Sequence, residues 1–439
     1  MKCIEDEIPF ELPEGWEWCR FTSVTVNRDS ERKPISSANR TNVAKIYDYY
    51  GASGKIDKID KFIFNEKLLL IGEDGANLVT RSKPIAFFAE GQYWVNNHAH
   101  CIDSTDKLIL EYLCLYINAI SLEKYVTGSA QPKMTQDNMN SILIALPPYE
   151  EQKRLEFQVN HILKTVSTIE NEKEDIVNYI ISAKSKILDL AIRGKLVPQD
   201  SNDEPASVLL ERIRAEKEEL IKQGKIKRDK KESIIFKGED NSYYEKVGVE
   251  IRCIDSEIPF EIPDGWMYER LGNICSIARG GSPRPIDNYL TDDENGLNWI
   301  KIGDTEQGGK YIYSTKEKIR PEGLSKTRYV CSGDFLLTNS MSFGRPYILR
   351  TNGCIHDGWL VIGGIEIAFH QDYLYYMLSS SIMYNALSSL AVGSTVKNLK
   401  SDSVKSLLVP IPPLAEQACI SRQIENYFAT MLPIERSLS

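Results

Sequence analysis

The string NNHAHC at Asn96–Cys101 packs two imidazoles, a thiol and two amides into six residues. His98, His100 and Cys101 are soft metal donors, but a zinc site needs four ligands and no second ligand cluster follows. On a strand, Asn96, His98 and His100 would share one face. There they could offer donors and acceptors to a base edge, and a satisfied structural histidine is the plain alternative.

Other strings suit contact with a nucleic acid. In ARGGSPRP (Ala278–Pro285) the glycines permit close backbone approach. Arg279 and Arg284 can reach phosphate or a guanine edge, with Ser282 between them. Lys301, in WIKIGD, is expected to point outward from a core strand. Asn339, Ser340, Ser342 and Arg345 come from LLTNSMSFGRP. The first half of the chain offers Lys55 in YYGASGKID, then Glu73, Asp74 and Asn77 in GEDGAN. Gln131 and Lys133 follow one Gly-Ser pair; Thr395, Lys397 and Asn398 follow another. Turn structure is the alternative for each, and side-chain type alone does not assign a base.

Catalytic signatures are missing. LPPY at Leu146–Tyr149 resembles part of the adenine-methyltransferase motif, in which Asn or Asp precedes Pro-Pro-Tyr. Leu stands there instead, and the later copy reads IPPL. Neither copy has a group to accept a hydrogen bond from the target amine. No Gly-rich loop follows a strand as a dinucleotide or S-adenosylmethionine site requires. GASGK at Gly51–Lys55 is too short for a phosphate-binding loop and lacks its Ser/Thr. The reading is a non-catalytic chain holding no cofactor or metal of its own.

Charge gives no bulk case for DNA. The net charge of −9 divides into −4 over residues 1–148, −2 over 149–250 and −3 over 251–439. Two local patches are basic: Lys310–Arg350 has eight Lys/Arg against three Asp/Glu, and Arg20–Lys45 has six against two. Either could follow phosphates, or be a solvated loop. Nine cysteines without a CxxC pair suit a reducing compartment, and no signal-like or spanning segment is evident, so the cytoplasm is expected.

The elements that position these residues come as one unit written twice. CIEDEIPFELPEGW at Cys3–Trp16 returns as CIDSEIPFEIPDGW at Cys253–Trp266, an offset of 250. GSAQPKMTQDNMNSILIALPPYEEQ from Gly128 returns as GSTVKNLKSDSVKSLLVPIPPLAEQ from Gly393, an offset of 265. The centres between these ends do not resemble each other. A shared frame around different centres points to one scaffold with two recognition surfaces. Each centre mixes short β-rich runs with turns, plus helices expected over Ile109–Tyr125 and Tyr373–Leu390.

Behind each Pro-Pro pair the apolar spacing becomes heptad-like. Leu155, Val159, Ile162, Val166, Ile169, Ile176, Ile180 and Ile187 form one seam, which Lys173 interrupts. Ile420, Ile424, Tyr427 and Met431 repeat it at an offset of 265. The spacing predicts two helices packed together, with much of the longer one left without an intrachain partner. Pro433 is expected to kink or stop the second. A further helix is predicted within Pro205–Gly224, before a basic linker. The expected domains are 1–148, a helical spacer over 149–250, 251–413, and a distal helix over 414–439.

The IPFE-x-P-x-GW opening, the GS-to-PP-x-x-EQ closing and the string LDLAIRGKLVPQDSNDEPASVLLERIRAEKEELIKQGKIKR from Leu188 resemble type I restriction–modification specificity subunits. That resemblance spans essentially the whole chain. It implies an α+β fold of two target-recognition domains joined by long antiparallel coiled-coil helices, with a pseudo-two-fold internal repeat. It further implies double-stranded DNA as ligand, one half of a split target per domain, and helices that set the gap and dock two modification subunits. S-adenosylmethionine would sit on those partners, and ATP and Mg on restriction subunits. The sequence departs from the pattern in opening directly on the first recognition domain and in its short distal helix, which bears on docking of the second modification subunit. Two other readings fit the residues: a specificity component of a type II-like methylase system, which neighbouring genes would identify, and a coiled-coil protein–protein adaptor, which would show no salt-dependent DNA affinity.

Overall fold

Each copy of the repeated frame closes on itself through one antiparallel strand pair. β1 (Glu17–Arg20) pairs with β10 (Leu143–Leu146), Arg20 opposite Leu143. β14 (Met267–Arg270) pairs with β25 (Leu408–Ile411), Arg270 opposite Leu408. These partners are related by the two sequence offsets, so the repeat places the same strands in the same register. The computed structural model describes residues 4–128, 130–228, 232–306, 308–340, 343–391 and 398–438. Ser342, Thr395 and Lys397 lie outside the described residues. Contacts divide the chain into two units, Met1–Asn171 and Glu172–Ser439.

In the first unit, β1 is followed by α1 (Phe21–Val24), β2 (Val26–Asn27), α2 (Ser37–Thr41), β3 (Tyr47–Gly51), β4 (Gly54–Ile59), β5 (Phe64–Asn65) and β6 (Leu68–Gly72). Then come α3 (Asn77–Thr80), β7 (Ala86–Ala89), β8 (Gln92–Val95), β9 (Ala99–Asp103), α4 (Lys107–Ala119) and α5 (Gln136–Asn140). Two four-stranded sheets form, β2-β9-β6-β7 and β4-β3-β8-β5, with β3 and β8 parallel. Every residue of β6 is buried, which accounts for the unbroken apolar run LLLIG. The helix expected over Ile109–Tyr125 ends earlier, at Ala119. Arg81 donates to the carbonyls of Ile117 and Asn118 at 3.0 and 2.8 Å, satisfying helix-end acceptors. A separate 3-10 turn follows at Glu123–Tyr125.

The chain continues through the long helix α6 (Tyr149–Ile192) and then α7 (Ala206–Lys222). A meander of β11 (Ser233–Lys237), β12 (Tyr243–Val247) and β13 (Glu250–Cys253) precedes β14. After β14 come α8 (Leu271–Ile274), β15 (Ser276–Arg279), β16 (Leu290–Thr291), β17 (Leu297–Ile300), β18 (Tyr311–Ile312), β19 (Glu317–Ile319) and β20 (Arg328–Val330). β21 (Phe335–Thr338), β22 (Pro346–Leu349), β23 (Gly353–Ile355), β24 (Trp359–Gly363), α9 (Gln371–Ser379), α10 (Ser381–Leu390) and α11 (Ser401–Lys405) complete the centre. The helix expected over Tyr373–Leu390 is thus two, because the Ser380 side chain caps the second one at Met383.

The sheet orders here are β15-β24-β21-β22-β18 and β16-β19-β17-β23-β20. Without β18 and β16 they match the first unit strand for strand, including the parallel pair β17–β23. The two centres share no sequence resemblance and yet one topology, since alternation and burial can be met by many side chains.

The last helix, α12 (Leu414–Leu438), packs antiparallel on the end of α6. Lys184 meets Glu435 at 2.6 Å and lies over the Phe428 ring, while Gln199 meets Glu416 at 2.8 Å. Ile420 and Ile424 are fully buried there, each contributing about 1.5–3 kcal/mol. Ile180 is buried and Ile187 packs against the same core. Met431 is half-buried, but Tyr427 is exposed and Phe428 takes its place on the seam, because packing on one face at 3.6 residues per turn favours a step of four. Ile162, Val166, Ile169 and Ile176 are all exposed, so the middle of α6 has no cover among the described residues. Pro433 stays inside α12. It lies at an exposed turn, where one lost backbone bond is replaced by water.

Candidate nucleic-acid interface

Three loops meet at one edge of each unit, held by the same backbone bonds. In the first, the Glu73 amide, just beyond β6, donates to the His98 carbonyl at 2.9 Å, and the Met134 amide donates to the Glu73 carbonyl at 2.8 Å. In the second, the Asn339 amide beyond β21 donates to the Gly358 carbonyl at 2.9 Å, and the Leu399 amide to the Asn339 carbonyl at 2.8 Å. Glu73 and Asp74 therefore correspond to Asn339 and Ser340. Asn96 and Asn97 correspond to His356 and Asp357, and Lys133 to Asn398.

The first site is a compact charge network. Asp29 Oδ2 lies 2.6 Å from His100 Nδ1, and His100 Nε2 lies 3.0 Å from the Met134 carbonyl. Arg32 meets Glu73 at 2.7 Å and Asp29 at 3.2 Å, and Lys133 reaches Glu73 at 3.1 Å. Burial pushes both carboxyls up. It is outweighed at Asp29 by His100, the Cys101 amide and Arg32, and at Glu73 by Arg32, His100 and Lys133, leaving both below the usual range. Above this base, His98 is about half exposed with Nδ1 2.7 Å from Asp74. Asn96 is buried and accepts from the His98 amide at 2.8 Å. Asn96–His98 form the turn between β8 and β9, not a strand, so His98 and His100 do not share a strand face.

The second site is built around Asp357. Ser282 Oγ donates to its carboxylate at 2.8 Å and Arg284 at 3.2 Å, while Arg279 Nε and Asn339 Nδ2 donate to its carbonyl at 2.9 and 2.8 Å. Burial raises Asp357, but Ser282, His356, Arg279 and Arg284 hold it below the usual range. Burial lowers His356. Gly280 is required at the close approach, because a Cβ there would stand 2.2 Å from the His356 carbonyl oxygen. Among the described residues Asn339 Oδ1 is buried without a partner, and Arg284 is 79% exposed. Arg345 is exposed and, among the described residues, has no ion pair. Asn398 is exposed beside Leu399.

Other predicted residues lie apart from these clusters or are engaged. Lys55 pairs with Asp48 on the β3–β4 hairpin, Lys301 pairs with Glu317, and Asn77 ties its own loop to Ser82 and Lys83. Gln131 is exposed near the first site. The first basic patch is largely neutralised, whereas in the second Lys310 is the one cation with an ion pair among the described residues. Arg20, Arg28, Arg32, Arg40 and Lys45 all pair with carboxylates. Lys310 is held between Asp372 and Glu425, and the Asp372 bond raises it despite burial. Asp29, Arg32 and Asp357 were missed by sequence reasoning. The offset of 250 that relates the opening motifs also relates Asp29 to Arg279 and Arg32 to Ser282, a signal that could have found the first two.

Chemically, Arg279 and Arg284 offer forked donors suited to guanine or phosphate, whereas Asp74, Asn96 and His98 offer a mix of acceptors and donors. No group of three or more metal-ligating side chains lies among the described residues, and no helix among them is long and apolar enough to cross a membrane.

Two mixed α/β units that share a topology and differ at their loop edges define a doubled scaffold with two unlike loop clusters. A family model described as the type I restriction modification DNA specificity domain matches twice, over residues 13–187 and 263–438, and the chain belongs to that family. The specificity subunit of the type I restriction enzyme EcoEI from Escherichia coli is 27% identical over 98% of this chain and 80% of its own length. That of EcoAI, also from Escherichia coli, is 29% identical over 63% of this chain and 54% of its own. The fold resembles the HsdS subunit from Thermoanaerobacter tengcongensis, with a TM-score of 0.50 and 16% identity over 98% of this chain and 93% of that one.

Proposed function

We propose that this chain is the non-catalytic specificity subunit of a type I restriction–modification enzyme, reading a split DNA target with one half assigned to each unit. One observation carries the reading: the same backbone bonds join loops that carry Asp74, His98 and Lys133 in one unit and Asn339, Asp357 and Asn398 in the other, where Arg279, Ser282 and Arg284 bind Asp357 from a neighbouring loop. A conserved frame with different contact chemistry is what two unlike half-sites require. On this reading the exposed seam of α6 serves docking of modification subunits. Those partners supply S-adenosylmethionine, restriction subunits bring ATP and Mg, and the complex works in the cytoplasm.

The test is adenine methylation mapped across a genome when the chain is expressed with its modification subunit. The expected result is a motif of two defined halves with a fixed gap. Arg279→Ala with Arg284→Ala should relax only one half, and His98→Ala with Asp74→Ala only the other. A contiguous motif, or both halves changing together, overturns the one-unit, one-half assignment.

A further inference from the structure

The step from β4 to β5 in the first unit and from β19 to β20 in the second joins the same two places of the shared sheet. Ile59 lies opposite Tyr47 as Ile319 lies opposite Leu297, and Phe64 lies opposite Tyr93 as Val330 lies opposite Gly353. Between these places the first unit has four residues, 60–63, and the second has ten, 320–329. The four are Asp60, Lys61, Phe62 and Ile63, with no net charge. The ten carry Arg320, Lys326 and Arg328 against Glu322 alone.

The longer turn is anchored along its length. A 3-10 turn over Pro321–Lys326 folds it back, with proline at a helix start that needs no amide hydrogen. The Arg320 amide donates to the Tyr289 carbonyl at 2.8 Å, and Lys326 Nζ donates to the Tyr289 hydroxyl at 2.6 Å. Gly281 packs directly on the turn, since a Cβ there would stand 2.6 Å from the Lys326 carbonyl oxygen. Thr327 Oγ1 donates to the Ile355 carbonyl at 2.8 Å, and Arg328 Nε donates to the Arg279 carbonyl at 3.2 Å. With Thr327 drawn inward, its neighbours Lys326 and Arg328 face solvent. Arg328 stands opposite Ile355, the residue before His356 and Asp357, so the turn borders the second site. Arg320, Lys326 and Arg328 are all exposed, and among the described residues none of the three has an ion pair.

We infer that this enlarged turn is a rim that binds DNA phosphates, with no counterpart in the four-residue turn of the first unit, so that the electrostatic part of DNA binding is one-sided. The inference rests on the DNA-reading function proposed above and adds which unit grips the backbone. Arg320, Lys326 and Arg328 can meet phosphates directly and release their counterions. Arg28, Arg32, Arg40 and Lys45 of the first unit would first have to give up Glu66, Glu73 and Asp57. The first unit therefore engages its half-site through hydrogen bonds to bases more than through charge.

The test uses the full chain in complex with its modification subunit and an end-labelled duplex carrying the target mapped by methylation. Affinity is measured from about 50 to 300 mM salt. Lys326→Gln with Arg328→Gln should lower the slope of log K against log salt by about two and weaken binding ten- to thirtyfold at about 0.15 M salt. Lys33→Gln with Lys61→Gln, at two exposed cations of the first unit, should change the slope by less than about 0.5. An unchanged thermal melt separates a lost contact from a lost fold. Arg320→Gln, expected to lower the slope by about one, reads the same rim should the double variant melt early. An equal fall from both pairs, or no fall from the second unit's variants, overturns the inference while leaving the split-target reading in place. Lost association with the modification subunit at an unchanged slope would give the rim to a protein surface and also overturns it. A native complex whose affinity does not depend on salt would remove the DNA reading, and this inference with it.

Discussion

Phe10 and Phe260 hold the same place in the two opening motifs, but Phe260 is buried beneath Arg193 in the second unit's core and Phe10 is about half exposed, so truncating each to Ala isolates what that cover contributes. A phenylalanine buries roughly 200 Å². Exposures of 47% and 7% then differ by about 80 Å², or about 2 kcal/mol at roughly 25 cal/mol per Å². The cation over Phe260 adds about 0.5–1 kcal/mol, and a closed site leaves a cavity where an open one collapses into water. Phe260→Ala should therefore cost about 3–4 kcal/mol and Phe10→Ala about 1 kcal/mol. The two units need not unfold together, so the assay is native-state hydrogen exchange resolved by peptide, read on β14–β25 for one and β1–β10 for the other. Equal losses, within about 0.5 kcal/mol, would refute the claim that Phe260 is covered and Phe10 open.

Arg284→Ala should weaken DNA binding several-fold and lower the slope of log K against log salt by about one, if the guanidinium meets phosphate; an unchanged slope with relaxed preference at one base pair would put it on a base edge, and no change at all would remove it from the interface. Glu245 is pushed up by burial but held at about 2 by Arg270, Ser233 and Arg252. Its folded value lies below its unfolded one, so its stabilisation is present above about pH 4.5 and is lost as pH falls towards 2. Urea midpoints taken across that range should fall in the native protein and change less in Glu245→Gln. Iodoacetamide should modify exposed Cys253, Cys331 and Cys419 well before Cys275, which burial pushes up to about 12, or Cys354, pushed up to about 11. Equal labelling rates, read by peptide mass, would contradict the core described for the second unit.

How much was legible depends on the range over which each feature is encoded. The repeat, the strand pairs it closes, the helices and the family are local or periodic in the chain, and the motif around Trp16 and Trp266 stated them outright. The heptad count went astray by one residue at Tyr427, because a seam is chosen by which face is covered, and the cover of Phe428 comes from Lys184 and its neighbours far away in sequence. The shared topology of the two centres was invisible, since unlike apolar strings such as LLLIG and FLLT satisfy the same buried strand. The first basic patch looked available because a one-dimensional count ignores partners, and so did Lys310 in the second; Arg32 and Lys310 are engaged by Glu73 and Asp372, 41 and 62 positions away. The sequence by itself determined that two copies of one frame enclose different centres. Only tertiary structure decided which residues of each centre converge, and that Phe260 is covered while Phe10 is left half exposed, because hydrogen bonds and burial are settled by distance in space and not by distance along the chain.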